Sequence, residues 1–442
     1  MSKVLERAVS EQFVQYLEKN KLLTSSQSGF RSNFSTDTCL IGLTEYIRNE
    51  VSQGRIVGMV LLDLQKAFDC VNHEILLRKL KGMGVGCTDW FRSYLTCRRQ
   101  CVAVGGVSSE FLEVTCGVPQ GSILGPILFI CYINDMAACL NCKVSLYADD
   151  STLIASGRSG DELATYLSNE LKICRDWMTD NKLSLHLGKT ECMVFGSRRK
   201  LKSLKDFRIQ CGDAVVERVE TVKYLGFLLD EQLNGVAHVG TCIKRISSRM
   251  AFLYRNAHLL NTTVRKTLCS ALVQPYFDYC CSSWYNNVTM EYKKKLDVLQ
   301  RKMVRYILGL DFRAHVDFSH FRSLGWLSVA DRVKYFRLLH VFRINANLAP
   351  QYMKENFKRV HQVHGHNTRG SVSDFYVPKI GNSETLKRSF FFSGIKDWNS
   401  LPHELKSIKK SFMSRLKAFI MDQCLSVKKK TAIIIVLKQG FS

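Results

Sequence analysis

The feature that most constrains the fold of this chain is a pair of short apolar runs, residues 144–147 and 151–155, separated by Ala148, Asp149 and Asp150. Runs this short are typical of strands, and the polar turn between them predicts an antiparallel hairpin. Asp149 and Asp150 then lie at the hairpin tip. Paired aspartates in a turn are often ordinary turn chemistry, so this pair alone does not define a site.

A third apolar run, residues 58–62, ends directly at Asp63. An aspartate after a strand is often a helix cap, but this one adds a third carboxylate at a strand end. Nucleotidyl transfer needs such a set, because two divalent ions about 3.5–4 Å apart stabilise the attacking and leaving oxygens together. Hard carboxylate oxygens suit Mg²⁺. We therefore expect two Mg²⁺ ions at Asp63, Asp149 and Asp150, with Mn²⁺ as the other candidate ion.

A glycine-containing segment, residues 117–122 (Gly-Val-Pro-Gln-Gly-Ser), lies between these aspartates in the chain. Its glycines permit close approach of backbone to a substrate, and Gln120 offers both a donor and an acceptor. It precedes an apolar stretch that predicts a buried helix over residues 122–139. The simpler interpretation of the segment is a plain loop into a helix.

The first half of the chain mixes helix and strand signals, and the second half is helical in pattern. Asn72 and Gly82 predict the start and end of a helix over residues 72–81. We place domain boundaries near residues 235 and 350, giving segments 1–235, 236–350 and 351–442, the last with a basic tail at 428–430. The remaining predicted elements are a helix at 160–180, strands at 190–195 and 221–229, and helices at 238–258, 264–273, 291–308 and 329–346.

The charge of the chain favours a polyanionic partner. Its 442 residues carry 63 Lys and Arg against 39 Asp and Glu, a net charge of +24. Nucleic acid and an anionic membrane surface both fit such an excess. The sequence does not predict a membrane-spanning helix, because Gly125 and Pro126 interrupt the apolar run 123–133 and the apolar run 432–437 is too short. The 17 cysteines indicate free thiols in a reducing compartment, and Cys139 and Cys142 have CxxC spacing without a second pair.

Three segments together carry a family resemblance. Residues 62–69 (Leu-Asp-Leu-Gln-Lys-Ala-Phe-Asp), 117–122 and 147–150 (Tyr-Ala-Asp-Asp) resemble motifs A, B and C of reverse transcriptases. More narrowly, they resemble the polymerases of jockey-like retrotransposons without long terminal repeats (non-LTR, LINE-like). The resemblance covers about residues 3–420. Further matching segments are 27–31 with Ser35 and Thr36 (fingers), 183–193 (motif D), 223–226 (motif E), 273–279 and 299–305 (thumb), and 366–369 and 398–402 (C-terminal segment).

The resemblance implies an α+β right-hand polymerase. It would have partial fingers, a palm with an antiparallel sheet and packed helices, a helical thumb and a small C-terminal segment. In that family the positions of Asp63 and Asp149 are the main metal ligands, and Asp150 is the third carboxylate near the primer terminus. The carbonyl of Leu64 would complete the metal site. Asp69 is assigned to structure.

The resemblance also implies roles for residues around the carboxylates. Phe68 matches the steric gate that excludes a 2′-hydroxyl, although a core aromatic is the simpler interpretation. Gln120 would contact the incoming nucleotide, and Gly121 would permit its close approach. The other implied roles are triphosphate binding by Arg31, protonation of pyrophosphate by Lys189 (or a solvated lysine), and holding of the primer by Lys223 and Tyr224.

Basic residues beyond the palm would track nucleic acid. The basic residues of the helices after residue 236 would contact the phosphates of the template–primer backbone, whatever the nucleotide sequence. The run 198–202 would contact phosphate, serve as a nuclear-import signal or form an exposed loop. The basic residues of these helices are Lys244, Arg245, Arg249, Arg301, Lys302 and Arg305.

The expected function is RNA-directed DNA polymerisation with an RNA template, a DNA primer and deoxyribonucleoside triphosphates. We expect no membrane partner and an intracellular, nuclear location. Segments that precede residue 2 in that family, including the first fingers strands, are absent, which predicts an N-terminally truncated copy. The second hypothesis is therefore an impaired relic that only binds nucleic acid. Phe68 and Ala148 argue against an RNA-directed RNA polymerase, and the C-terminal resemblance argues against a group II intron maturase.

Overall fold

The computed structural model of the chain describes residues 2–204, 206–363, 374–381 and 383–423. The motif at 366–369, the basic tail at 428–430 and the run 432–437 lie outside the described residues. Among the described helices, none combines the length and the apolar character that crossing a membrane requires.

The chain divides into two compact units. The first contains Met1–Cys39 and Gln53–Val222, and the second contains Leu40–Ser52 and Lys223–Ser442. This division falls between Val222 and Lys223, whereas the sequence suggests boundaries at 235 and 350, which stay predictions. The long helix Thr36–Ser52 contributes residues to both units.

The first unit alternates helices and strands, with 3₁₀ turns at Met136–Cys139 and Leu187–Lys189. Its elements in chain order are α1 (Ser2–Lys19), α2 (Thr36–Ser52, shared), β1 (Ile56–Leu62), α3 (His73–Gly82), α4 (Thr88–Leu95), β2 (Arg99–Gln100), β3 (Ala103–Val104), β4 (Val107–Ser108), β5 (Leu112–Glu113), α5 (Gly125–Tyr132), β6 (Lys143–Tyr147), β7 (Asp150–Gly157), α6 (Gly160–Asp180), β8 (Glu191–Phe195), α7 (Arg198–Lys202), β9 (Ile209–Cys211) and β10 (Ala214–Arg218).

A six-stranded sheet organises the first unit, with the strand order β6-β7-β1-β8-β10-β9. All neighbours in it pair antiparallel except β8 and β10. Strand β1 is apolar along its whole length because it has a partner on both sides and a covered surface on both faces. The predicted α+β class is confirmed, and so is the predicted hairpin, formed by β6 and β7.

Side-chain caps explain why the predicted helices start where they do. Asn72 caps α3 by accepting the N–H of Ile75, and Ser159 caps α6 by accepting the N–H of Glu162. The prediction that Gly82 ends α3 is confirmed, because Gly82 is the last residue of the helix, and the chain reverses at Gly84, where φ is +79°.

The predicted helix over 122–139 is shorter in the structure. Only Gly125–Tyr132 is α-helical, and a 3₁₀ turn follows at Met136–Cys139. Asn134 ends the helix because its side chain accepts the N–H of Thr24 and donates to the carbonyl of Leu22, each at 2.8 Å. These bonds tie the chain to a segment far away in sequence, which local periodicity does not predict.

Strands β2 to β5 form a ribbon that the sequence does not predict. Its two pairs are β2 with β5 and β3 with β4. Almost every side chain from Val102 to Glu113 is exposed, including Val104 (74%) and Val107 (75%). Without a buried face the ribbon lacks the polar–apolar contrast that identifies a half-buried strand.

The segments after β1 and before α5 are joined by main-chain hydrogen bonds. Gly117 donates to the carbonyl of Val71 at 2.8 Å, and Val118 donates to that of Phe68 at 2.9 Å. The buried ring of His73 hydrogen-bonds the carbonyl of Gly117 at 2.8 Å. Two of the segments that carry the family resemblance therefore form one connected loop pair.

The second unit is a hairpin followed by helices. The predicted strand over 221–229 is two strands, whereas the predicted helices over 238–258, 264–273, 291–308 and 329–346 are confirmed within a few residues. The elements are β11 (Thr221–Tyr224), β12 (Phe227–Asp230), α8 (Val236–Arg255), a 3₁₀ turn (Ala257–Leu259), α9 (Thr262–Leu272), α10 (Pro275–Asp278), α11 (Cys281–Trp284), α12 (Met290–Leu308), α13 (Phe318–Ser323), α14 (Val329–Asn345), α15 (Gln351–Lys354), α16 (Val360–Val363), α17 (Glu384–Lys387), α18 (Phe390–Asn399), α19 (His403–Ser407) and a helix over 412–423.

A core of buried side chains from residues 327–420 and Ile41 holds this unit together. Ile41 and Glu45 explain why residues 40–52 belong to it. Ile41 is fully buried in that core, and the carboxylate of Glu45 accepts the N–H of Phe390 at 2.9 Å.

His238 fixes the hairpin to helix α8. Its Nδ1 accepts the N–H of Leu228 at 3.4 Å, which places the ring proton on Nε2, 3.5 Å from Cys242 Sγ. The ring lies 4.4 Å from that of Phe227 and is 6% exposed. Burial, and to a smaller extent the charge of Arg245, lowers the pKa of His238 from 6.5 to about 4.

Two glycines with similar backbone angles test the packing of the loop pair. A Cβ at Gly117 (φ +88°) would lie 2.8 Å from the carbonyl oxygen of Asp69, whereas one at Gly121 (φ +78°) would meet nothing within 4 Å. We expect Gly121→Ala to cost about 1–2 kcal/mol for its left-handed backbone alone. Gly117→Ala should cost roughly 2 kcal/mol more because the clash is with backbone. Urea unfolding measures both, and equal costs would contradict the close contact.

The neutral imidazole of His238 predicts a pH dependence of stability. The unfolded chain binds this proton near pH 6.5 and the folded chain only near pH 4, so the stability is complete above 6.5 and falls as the pH drops toward 4. The full loss is about 3 kcal/mol, at roughly 1.4 kcal/mol per pKa unit. Urea midpoints between pH 7 and pH 4 should show a flatter profile for His238→Gln. The exposed His258 supplies the control, since His258→Gln should keep the wild-type profile.

Candidate active site

Strand register brings the carboxylates of Asp63 and Asp150 to the same edge of the sheet. On the antiparallel strands β1 and β7, Leu62 pairs with Ser151. The next position of each strand beyond this pair is Asp63 on one side and Asp150 on the other. Paired positions in such a ladder have Cα atoms about 4.5–5.5 Å apart. Asp149 lies one residue further along, in the turn.

The carboxylates are open to solvent and repel one another. Asp149 and Asp150 are exposed, and the side chain of Asp63 is 44% exposed. Partial desolvation raises the pKa of Asp150, and the neighbouring charges of Asp149 and Asp63 raise it further. A cation placed among them would relieve this repulsion.

The donor chemistry of this edge fits a divalent ion, since exposed carboxylate oxygens are the ligands Mg²⁺ prefers. Within the ranges that the structure describes, no three His, Cys, Asp or Glu side chains meet the spacing of a ready-made metal site. The side chains that would hold the ion are Asp63, Asp149 and Asp150, with the Leu64 carbonyl as a further oxygen.

The chain after α6 returns to Asp63 and delivers Lys189. His186 donates its N–H to the carbonyl of Asp63 at 2.8 Å, and Gln65 donates to the carbonyl of Ser184 at 2.9 Å. The turn Leu187–Lys189 follows, and Lys189 Nζ lies 3.8 Å from Asp63 Oδ2. Neither backbone bond uses the carbonyl of Leu64. The structure therefore brings Lys189 close to Asp63, and its role in protonating pyrophosphate stays a prediction.

Phe68 and the loop at Gln120 lie on the same side of the first unit. The ring of Phe68 stacks on Phe129 at 4.3 Å and meets the exposed ring of Phe30 edge-on at 6.5 Å. Phe68 is therefore partly buried against the core, and its role as a steric gate stays a prediction. Gln120 Nε2 donates to Asp69 Oδ1 at 2.8 Å, and both side chains are exposed. Open space surrounds Gly121.

Arg31 has partners that the sequence did not indicate. Its guanidinium forms two bonds with Glu18, at 2.8 and 2.9 Å, and donates to the carbonyls of Thr24 and Gln27. Its side chain is only 9% exposed. In this conformation Arg31 joins the fingers segment to α1, and its predicted contact with a triphosphate stays a prediction.

Lys223 and Tyr224 belong to the hairpin of the second unit, where they differ in exposure. Lys223 is exposed and Tyr224 is 2% exposed, so only the lysine presents its side chain to solvent, and the contact of both with a primer stays a prediction. A cavity of about 700 Å³ in the same unit is lined by Lys244, Arg245, Arg249, Phe252 and Tyr276, among others. Arg249 Nε donates to the hydroxyl of Tyr276 at 3.0 Å.

Sequence reasoning missed two side chains that shape the site. Asp69, assigned to structure, holds the amide of Gln120. His73, inside the predicted helix over 72–81, hydrogen-bonds the carbonyl of Gly117. Their position just after Asp63 and Phe68 in the chain was the only available signal.

Comparison with known proteins identifies the first half of the chain. Residues 1–229 match the family model described as reverse transcriptase (RNA-dependent DNA polymerase). The probable RNA-directed DNA polymerase from transposon X-element of Drosophila melanogaster is 26% identical over 345 residues, covering 75% of this chain and 37% of that protein. The polymerase from mobile element jockey of Drosophila funebris is 25% identical over 322 residues, covering 70% and 34%.

A solved structure of apo telomerase from Candida tropicalis is similar at a TM-score of 0.40 and 13% identity, covering 75% of this chain and 54% of that one. The match covers about a third of the length of these curated relatives. Because the family model covers more than half of the chain, the predicted polymerase fold is confirmed there. The chain belongs to the reverse transcriptase family, and within it to the jockey-like, non-LTR retrotransposon group.

Proposed function

We propose that this chain is the polymerase part of an RNA-directed DNA polymerase that extends a DNA primer on an RNA template. The observation that carries the proposal is the register of β1 and β7, which sets Asp63 beside Asp150 with Asp149 in the adjoining turn. Hydrogen-bonded strands are rigid supports, and nucleotidyl transfer depends on carboxylates held to a fraction of an ångström.

The side chains around this edge have distinct roles. Asp63, Asp149 and Asp150, with the Leu64 carbonyl, would hold two Mg²⁺ ions, which when bound would stabilise charge on the attacking and leaving oxygens. Lys189 donates a proton to the leaving pyrophosphate from its place 3.8 Å from Asp63. Reverse transcriptases generally use divalent metal ions, and the carboxylates of this site favour Mg²⁺, with Mn²⁺ as its substitute.

The loop pair selects the nucleotide. Gln120, held by Asp69 at 2.8 Å, presents its amide oxygen to the deoxyribonucleoside triphosphate. Phe68 lies under the sugar, where its ring excludes the 2′-hydroxyl that distinguishes ribonucleotides. Gly121 leaves room for the substrate to approach the backbone.

The second unit binds the template and primer by charge. Lys244, Arg245 and Arg249 line one face of α8, and the +24 net charge of the chain supports contact with phosphates. Lys223 offers a further cation on the hairpin. A nucleus, where a DNA primer is available, is the proposed location.

Substitution at the sheet edge tests the proposed reaction. Asp150→Asn keeps the size of the side chain and removes its charge, so we expect primer extension on an RNA template with Mg²⁺ to fall at least about 10³-fold. The matched control is Asp213→Asn, at an exposed aspartate in the turn between β9 and β10, which should keep wild-type activity.

Either of two outcomes would contradict the assignment. Extension that persists in Asp150→Asn would remove this carboxylate from the reaction. Salt-sensitive binding of an RNA–DNA hybrid by the unsubstituted chain, without any extension, would favour the nucleic-acid-binding relic instead.

Salt dependence tests the role of α8. Lys244 is exposed on the cavity wall, and Lys244→Gln should weaken hybrid binding for all sequences and lower the slope of log K against log salt by about 1. Fluorescence anisotropy at several salt concentrations measures this slope. Lys295, already paired with Glu291 at 2.6 Å, is the control, and an equal effect of Lys295→Gln would show that only net charge matters.

A further inference from the structure

Gln27 lies beside the turn that carries Asp149 and Asp150. Its segment extends the sheet along the outer edge of β6, where Leu146 donates to the carbonyl of Ser26 at 2.9 Å and Ser28 donates to that of Leu146 at 2.8 Å. These bonds fix the register of Gln27 opposite Leu146. The side chain of Gln27 is thereby directed at the end of the hairpin and is 1% exposed.

One oxygen of Gln27 connects two parts of the chain. Its Oε1 accepts the N–H of Gly29 at 2.7 Å and the N–H of Ala148 at 3.1 Å. Because both partners are donors, the atom facing them is the amide oxygen and not the nitrogen. Ala148 is 7% exposed, so its N–H would otherwise be buried without a partner, at a cost of about 1–3 kcal/mol.

The turn itself needs this support. Ala148 has a φ of +56°, a left-handed conformation that a non-glycine residue adopts only when its surroundings impose it. Gly29 packs closely against this turn, since a Cβ at residue 29 would lie 2.4 Å from the backbone nitrogen of Ala148. The segment 26–29 therefore packs on the turn backbone with no room for a side chain.

Burying the amide of Gln27 costs stability because one of its polar atoms is left without a hydrogen-bond partner. Gln27 Nε2 is buried and has no hydrogen-bond partner among the described residues. An apolar side chain of the same length would avoid that unsatisfied donor, but it would leave the Ala148 N–H unpaired. The need to pair the Ala148 N–H therefore explains why an amide is present at residue 27. The residues that directly follow Ala148 are Asp149 and Asp150.

We propose that Gln27 is a positioning residue for the catalytic turn: its amide oxygen fixes the Ala148 N–H and thereby the direction in which Asp149 and Asp150 project. The catalytic half of this proposal rests on the proposed function, and the geometric half does not. Misplacement of a reacting group by about 1 Å costs roughly 10²-fold in rate. Loss of the bond should accordingly lower kcat and leave nucleotide binding nearly unchanged.

The test compares two buried glutamines. Gln27→Met removes the acceptor and keeps the length of the side chain. Gln300, 3% exposed in α12 of the second unit, donates to the carbonyl of Leu327 at 2.9 Å, so Gln300→Met removes one buried side-chain hydrogen bond where Gln27→Met removes two. The measurements are kcat and KM for a deoxyribonucleoside triphosphate in Mg²⁺, thermal melting, and hydrogen exchange of the peptide around Ala148.

For Gln27→Met we expect kcat to fall about 10–100-fold with KM changed less than about three-fold. Exchange at Ala148 should quicken by about ten-fold, as loss of one hydrogen bond implies. Gln300→Met should lower the melting temperature and leave kcat within about two-fold of wild type, because its bond does not touch the turn. Gln27→Glu, which keeps an oxygen at the same reach, should restore the slow exchange at Ala148.

Two results would overturn the proposal: wild-type kcat and exchange in Gln27→Met, or an equal loss of kcat in Gln300→Met. If Gln27→Met does not fold, fast exchange at Ala148 in Gln27→Glu relative to wild type would overturn it instead. Failure of the proposed function is distinguishable, because an inactive wild-type chain still reports by exchange whether Gln27 holds the turn.

Discussion

The antiparallel pairing of β1 with β7 is the interaction on which the rest of the site depends. Leu62 opposite Ser151 puts the strand ends at Asp63 and Asp150 on a common edge. A slip of one residue would turn every β1 side chain to the other face of the sheet and carry Asp63 with it. Packing at Gly58 opposes such a slip, because a Cβ at this position would lie 2.4 Å from Leu167 Cδ1 and a larger β1 side chain moved there would meet a filled core.

Local chemistry made much of this fold predictable. Asn72 and Ser159 cap the helices that follow them, and the apolar runs around Asp149 and Asp150 form the hairpin they indicate. Each signal acts within a few residues. What the sequence could not predict comes from distant partners, such as the bonds of Asn134 with Thr24 and Leu22 that end α5 early.

The same distinction applies to the site. The proximity of Asp63 to Asp150 follows from the antiparallel pairing of two predictable strands, because the end of β1 then lies beside the start of β7. The behaviour of Arg31 was not, since its partner Glu18 lies on α1, and only packing of that helix brings the carboxylate to the guanidinium. Arg31 is nearly buried and Glu18 is one-third exposed, so releasing the guanidinium toward a substrate means breaking two hydrogen bonds to Glu18, whose carboxylate water can then reach.

The hairpin that carries Lys223 illustrates how position follows from packing rather than from sequence order. It follows the palm strands in the chain, yet its turn and second strand are held by helical residues. The hydroxyl of Tyr279 donates to the carbonyl of Leu225 at the turn, and His238 accepts the N–H of Leu228 on the strand. Trp284 supports both, because its indole N–H donates to the carbonyl of Tyr279 at 3.0 Å and its ring lies 5.8 Å from that of His238. These contacts explain why the compact units divide at Lys223, and they make the placement of this exposed lysine depend on the residues that follow the hairpin.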